Sequence, residues 1–291
     1  MAAQTEGSVV DRETRTASGD RIVDAAFAER AKNLNLKSAS VLVVHQDDGR
    51  ALYAKNTGAV VPIASITKLM TAMVILDAKL PLDEPISIEA EDRDRLKGTR
   101  SRMSNGMTLT RGELLKLALM ASENRAAAAL ARTYPGGTQV VLAMMNAKAR
   151  ELGMDSTRFF DPTGLHSDNV STAQDLVKMV MAAQSYELIH QYTTSPSHVV
   201  NVDGRRSIRF SNTNPLVRNA SWDIGLSKTG YISEAGRCLV MQARIMQRPV
   251  VIVLLDSWGK RTRVGDANRV KQWMENAAAR AARTARHGSR S

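Results

Sequence analysis

Two blocks of strand-like sequence stand at opposite ends of this chain, and they limit its possible folds more than any other feature. Near the start, "SVLVVHQDDGRALYAKN" reads as a strand, an Asp-Asp-Gly turn and a second strand, hence a hairpin. Near the end, "LSKTGYIS", "CLVMQARI" and "RPVVIVLLD" alternate or run apolar, with turn residues between them. Consecutive strands joined by short turns pair antiparallel, because a parallel return needs a long crossover. The sequence between the blocks has helical spacing. The expected class is α/β in the α+β sense: one antiparallel sheet built from both chain ends, flanked by helices, with an all-helical subdomain inserted.

The expected boundaries follow from this pattern. Residues 1–19 are polar and expected to be disordered. Residues 20–278 form the domain, with a sheet subdomain over 20–80 plus 191–278 and a helical subdomain over 81–190. Residues 279–291 form a basic, disordered tail. "RIVDAAFAERAKNL" reads as a helix, as do "ENRAAAALARTY" and "GTQVVLAMMNAKARELG". Thr110-x-x-Glu113 and Thr172-x-x-Asp175 are capping sequences that open two more. The closing helix, "DANRVKQWMENAAARAA", puts Val270, Trp273, Met274 and Ala277 on one face, as expected for packing on a sheet.

Several functional classes are disfavoured. No apolar run reaches the length of a membrane span, and the first residues lack a secretory apolar core. The single cysteine, Cys238, rules out an intramolecular disulfide and suits a small buried hydrophobe. The five histidines show no metal-ligand spacing, and no metal or cofactor is called for. The net charge of +11 favours a polyanionic partner, either nucleic acid or an anionic cell-wall polymer. Nucleic acid is not expected, because no recognition motif is present and aromatic residues are only 4%.

A lysine, Lys68, sits inside the apolar run "VVPIASITKLMTAMVILDAKL", three residues after Ser65. Residues three apart on a helix share a face, so the two side chains can meet. Taken alone, Ser-x-x-Lys is far more often a solvated lysine on an amphipathic helix. It does not stand alone: Ser65-Ile66-Thr67-Lys68, Ser122-Glu123-Asn124 and Lys228-Thr229-Gly230 occur in that order, the set used by β-lactamases and penicillin-binding proteins.

With these motifs the chain resembles the low-molecular-mass penicillin-binding D-alanyl-D-alanine peptidases, and more closely the penicillin-binding protein 7 type of D-alanyl-D-alanine endopeptidase. The likeness runs from about Leu36 to Ala278 and is strongest in "DRDRLKGTRSRMSNGMTLTRGELLKLALMASENRAA", "FFDPTGLHSDNVSTAQDL" and "SKTGYISEAGRCLVMQA". The resemblance implies a β-lactamase/transpeptidase-like fold. It implies a serine endopeptidase acting on peptidoglycan stem peptides through a Ser65 acyl-enzyme, with β-lactams as covalent inhibitors. Because that substrate lies outside the cytoplasmic membrane, the resemblance also implies a periplasmic protein whose leader is absent from this chain.

A serine hydroxyl needs a base, and a lysine serves only when neutral. Burial and a nearby cation both lower a lysine pKa. Lys68 is expected to be buried by its apolar neighbours and to face Lys228. The resemblance gives Ser122 the proton for the leaving amine. Asn124 orients the substrate amide and Lys68, and Lys228 and Thr229 hold the substrate carboxylate. Gly230 leaves room for substrate along its strand, and the resemblance implies an oxyanion site between the backbone N–H groups of Ser65 and Tyr231. Glu123 is expected to be only a helix-start charge.

Decoys show how little one motif means. Ser257-Trp258-Gly259-Lys260 repeats the Ser-x-x-Lys pattern with no later partners, and Ser167-Asp168-Asn169 reads as a turn before the Thr172 cap. Phe159 and Phe160 of "FFDPTGL" are expected to anchor that loop in the core. A class A β-lactamase would carry a deacylating glutamate in this region, and "STRFFDPTGLHSDN" has none. The alternatives kept open are a D-alanyl-D-alanine carboxypeptidase, a class A-like β-lactamase, and a non-catalytic binder of cell wall or nucleic acid.

Overall fold

The computed structural model describes residues 34–202 and 206–288. The segment expected to be disordered, 1–19, and all but the last residue of the helix expected after it lie outside these residues. The described chain divides into two units. Lys37–Asp266 holds the sheet, the helical region and every candidate site residue, and Ala267 onward belongs to the other unit.

The chain opens with the hairpin β1 (Ser38–His45) and β2 (Ala51–Lys55), turning at Gly49 with φ +68°. A short strand β3 (Val61–Pro62) leads through a 3₁₀ turn, Ala64–Ile66, into α1 (Thr67–Asp77). Strands β4 (Pro85–Ser87) and β5 (Thr108–Thr110) pair across a long loop. The helices α2 (Arg111–Lys116), α3 (Asn124–Arg132) and α4 (Gly137–Glu151) follow. Then β6 (Val170–Ser171) returns to pair with β3. Beyond it come α5 (Ala173–Ala183), α6 (Glu187–Thr194) and the hairpin β7 (Ser197–Val202) with β8 (Arg206–Ser211). The last strands are β9 (Asp223–Ile232), β10 (Gly236–Ile245) and β11 (Arg248–Ser257), before α7 (Thr262–Gly288).

The main sheet has the order β2-β1-β11-β10-β9, antiparallel throughout, so it is built from both chain ends as expected. β11, with an unbroken buried apolar run, takes the centre, where neither face is open to a polar residue. β9 lies at the edge and leaves one side of its backbone unpaired within this sheet, the geometry that receives an extended peptide. α1 is buried on every face from Thr67 to Ile75, the pattern of a core helix rather than an amphipathic one.

Both expected caps form. Thr110 Oγ1 accepts from Glu113 N while Glu113 accepts from Thr110 N, and Thr172 Oγ1 accepts from Asp175 N. Not foreseen were the β3–β6 and β4–β5 pairs, α6 and the β7–β8 hairpin. Their strands and helix are short, with too few periods for an apolar pattern to show. α7 runs on to Gly288, into the segment expected to be a tail. Its alanines and arginines are strong helix formers. Val270, Trp273, Met274 and Ala277 are all buried.

Candidate active site

Ser65 is presented by a turn under compression. Ala64, just before it, has φ +48°, a left-handed conformation that costs a residue with a β-carbon roughly 1–3 kcal/mol. Two glycines press on this turn. A Cβ on Gly164 would lie 2.0 Å from Ala64 O, and one on Gly230 would lie 2.8 Å from Ile63 O and 3.1 Å from Ser65 N. Thr67 Oγ1 donates to Ala64 O at 2.8 Å and holds the turn from the helix side. Ser65 thus sits where α1 begins, against the edge strand β9.

Lys68 is 1% exposed on the first turn of α1. Its Nζ lies 2.8 Å from Ser65 Oγ, 2.7 Å from Asn124 Oδ1 and 2.5 Å from Thr163 O. Burial lowers its pKa to about 7, against the opposing pull of Asp161, Glu123 and Asp94. Lys228 lies close enough for the two amines to repel, and its own pKa is well below the usual lysine value through burial, then through the charges of Lys68 and Arg263.

Ser122 follows a π turn, Leu117–Ala121, and is itself left-handed with φ +60°. Such turns cluster at functional sites because they re-aim the next side chain. Ser122 Oγ accepts from Lys228 Nζ at 2.8 Å, and Lys228 also donates to Thr229 O. Thr229 Oγ1 donates to Thr213 Oγ1 at 2.6 Å. The structure therefore brings Ser65, Lys68 and Asn124 into one hydrogen-bonded group, and Ser122, Lys228 and Thr229 into another beside it. The Tyr231 ring does not join either group and lies under the Arg237 guanidinium, 4.3 Å away.

Glu123 is more than a solvated charge at a helix start. It is half-buried, accepts from Ser101 Oγ at 2.7 Å, and burial raises its pKa. It ties the 93–103 loop to the start of α3. Asn124 Nδ2 does the same through Thr99 Oγ1 at 2.9 Å, and Asp94 holds Thr99 in turn. The residues missed in the sequence are Thr99, Thr163, Thr213 and Arg263. Thr163 contributes only a backbone carbonyl, which no side-chain pattern reveals. Arg263 donates to Gly230 O at 2.7 Å and Cys238 O at 3.1 Å from a position after the last strand.

The 159–169 loop borders Lys68 through Thr163. Asp161 accepts from the backbone N–H groups of Thr163, Gly164 and His166, and from Asn169 Nδ2. Asn169 Oδ1 accepts from Phe160 N and Asp161 N, so the Ser167-Asp168-Asn169 decoy ends in a buried loop anchor. The expectation for the two phenylalanines is half corrected. Phe159 is buried, but Phe160 is 53% exposed and stacks on His166. Ser257 of the other decoy is buried against Ser38 Oγ at 2.6 Å, and Ser38 in turn donates to Asp266.

Residues 26–259 match the family model described as D-alanyl-D-alanine carboxypeptidase. The chain is 49% identical over 241 residues to a D-alanyl-D-alanine endopeptidase of Pseudomonas aeruginosa, covering 82% of this chain and 78% of that protein. It is 44% identical over 255 residues to a D-alanyl-D-alanine endopeptidase of Escherichia coli, covering 87% and 82%. Among solved structures, the Streptomyces K15 DD-transpeptidase superposes with a TM-score of 0.76 at 25% identity, covering 83% of this chain and 98% of that one. The cleft between α1, the Ser122 turn and β9 is thus set in a fold and a sequence that agree, and the chain belongs to the D-alanyl-D-alanine carboxypeptidase family of serine peptidases.

Proposed function

We propose that this protein is a D,D-endopeptidase that cuts D-alanyl cross-links between peptidoglycan stem peptides outside the cytoplasmic membrane, in the periplasm. The observation that carries this is Lys68: buried, with a pKa of about 7, and 2.8 Å from Ser65 Oγ. Lys68 Nζ takes the Ser65 proton as Oγ bonds to the D-alanyl carbonyl carbon. The oxyanion is held by the N–H groups of Ser65 and Tyr231. The C–N bond then breaks, and Ser122 passes to the leaving amine the proton that Lys68 took from Ser65, which leaves Lys68 neutral. Water hydrolyses the ester and frees Ser65.

Lys228 and Thr229 hold the carboxylate beside the scissile nitrogen, and Asn124 orients the amide. Gly230 lets the peptide lie flat along β9. A carboxypeptidase substrate presents the same carboxylate, so the cleft chemistry alone serves both activities. The two relatives at 49% and 44% identity, both named endopeptidases, favour the cross-link. The test is digestion of purified cross-linked sacculi followed by muropeptide separation. Conversion of dimers to monomers supports the proposal. Release of free D-alanine with dimers untouched identifies a carboxypeptidase instead.

A further inference from the structure

The 93–103 loop does more than brace Asn124. It is folded around the Asp94 carboxylate, which accepts from the N–H groups of Leu96, Lys97 and Thr99 and from Thr99 Oγ1. Its foot stands on one wall of the cleft, through Asn124 to Thr99 and Ser101 to Glu123. Its tip reaches the other wall. Lys97 Nζ donates to Glu234, 137 residues away in the turn between β9 and β10. These contacts close a ring. It runs from Ser65 to Lys68, Asn124 and Thr99, crosses from Lys97 to Glu234, and returns along β9 to Gly230, which lies against Ser65 N.

We propose that Lys97 and Glu234 are specificity-determining residues, a gate that must part before cross-linked wall can reach Ser65, a role that rests on the endopeptidase reading given above. With the substrate carboxylate at Lys228 and Thr229 and the oxyanion between the N–H groups of Ser65 and Tyr231, the acyl side of the stem runs along β9 toward Ser233. It leaves beneath the Lys97–Glu234 pair. A peptide with a free end threads under a closed bridge, and a β-lactam enters from the Lys228 side. A stem joined to a sugar strand at one end and to a second stem at the other has no free end. It can only be laid in sideways, with the pair apart. The pair is suited to parting. Its side chains are 29% and 41% exposed, and an exposed ion pair biases an equilibrium by no more than about fivefold. Gly98, next to Lys97, has φ +63° and open space around it, so the tip can turn there while Thr99 stays on Asn124. The hydrogen bonds from Lys97 and Ser233 hold the Glu234 carboxyl down at about 2, so the gate keeps its charge near neutral pH.

The test compares three rates on the full chain: cutting of cross-linked sacculi, cutting of cross-linked peptide dimers freed from their sugar strands, and acylation by penicillin. Lys97→Glu sets two like charges face to face. It should speed sacculus cutting by up to about fivefold and leave the other two rates unchanged. The exchanged pair, Lys97→Glu with Glu234→Lys, should return sacculus cutting to the wild-type rate. Closing the gate covalently should do the reverse. In Lys97→Cys with Glu234→Cys, bridged by a short bismaleimide, sacculus cutting should be lost while free dimers and penicillin still react. Cys238 is buried, with its thiol pushed up to about 11, and does not compete for the reagent. Unchanged sacculus cutting in Lys97→Glu, continued sacculus cutting by the bridged protein, or equal loss of all three rates would each overturn the gate and leave the endopeptidase standing. A wild type that releases D-alanine and leaves dimers of both kinds uncut would refute the endopeptidase reading, and the gate with it.

Discussion

Three acceptors converge on Lys68 Nζ, and a neutral amine has only two protons to give. Asn124 Oδ1 and Thr163 O have no proton to offer, so they take the two N–H groups. The lone pair then faces the Ser65 hydroxyl, which is the arrangement a general base requires. Protonation turns that same lone pair into a third donor and removes the base. With a pKa of about 7, acylation by a β-lactam should level off above neutrality and fall about tenfold per pH unit below it. A stopped-flow profile that is flat from pH 5 to 9, on the order of the range that spans the expected pKa, would refute this assignment. Lys68→Ala should slow acylation by about 10²-fold or more at pH 8, with far-UV circular dichroism unchanged.

At the scale of elements, the site depends on backbones meeting closely. The 63–65 turn is wedged between the 159–169 loop and β9, and both contacts require glycine. Gly164 also has φ +82°, which an L side chain rarely adopts. Gly164→Ala should therefore displace the Ala64 carbonyl and cost roughly 1–3 kcal/mol of stability. Acylation should fall more steeply than thermal stability, because Ser65 moves with the turn. Wild-type acylation in a well-folded Gly164→Ala protein would show that the turn tolerates more freedom than its packing suggests. These contacts were only partly legible in the sequence. Gly230 stood out because it belongs to Lys-Thr-Gly, but nothing near Gly164 announced that its partner would be Ala64, 100 residues away. The caps at Thr110 and Thr172 were legible because each lies within four residues of its partner. Thr163 and Arg263 were not, because one acts through its carbonyl and the other reaches back from beyond the last strand.

For the whole molecule, the sheet was readable because its strands are long and its turns are local, while the pairing of β1 with β11 rather than with β9 or β10 was not, because it joins strands from opposite ends of the chain. The choice of Ser65 over Ser257 gains its physical reason from the fold. Ser257 is sealed against Ser38, which hands its own proton to Asp266, whereas Ser65 meets Lys68 at the mouth of the cleft. The fold also explains the fate of an acyl-enzyme. Asp161, the carboxylate of the loop beside Lys68, spends both oxygens on backbone N–H groups and is not free to activate water. The most direct measurement is intact-mass spectrometry after incubation with penicillin, followed by peptide mapping. A single adduct on the peptide carrying Ser65, absent in Ser65→Ala and persisting for minutes or longer, is the predicted result. An adduct on Ser257, no adduct at all, or rapid repeated turnover of the β-lactam would contradict the account.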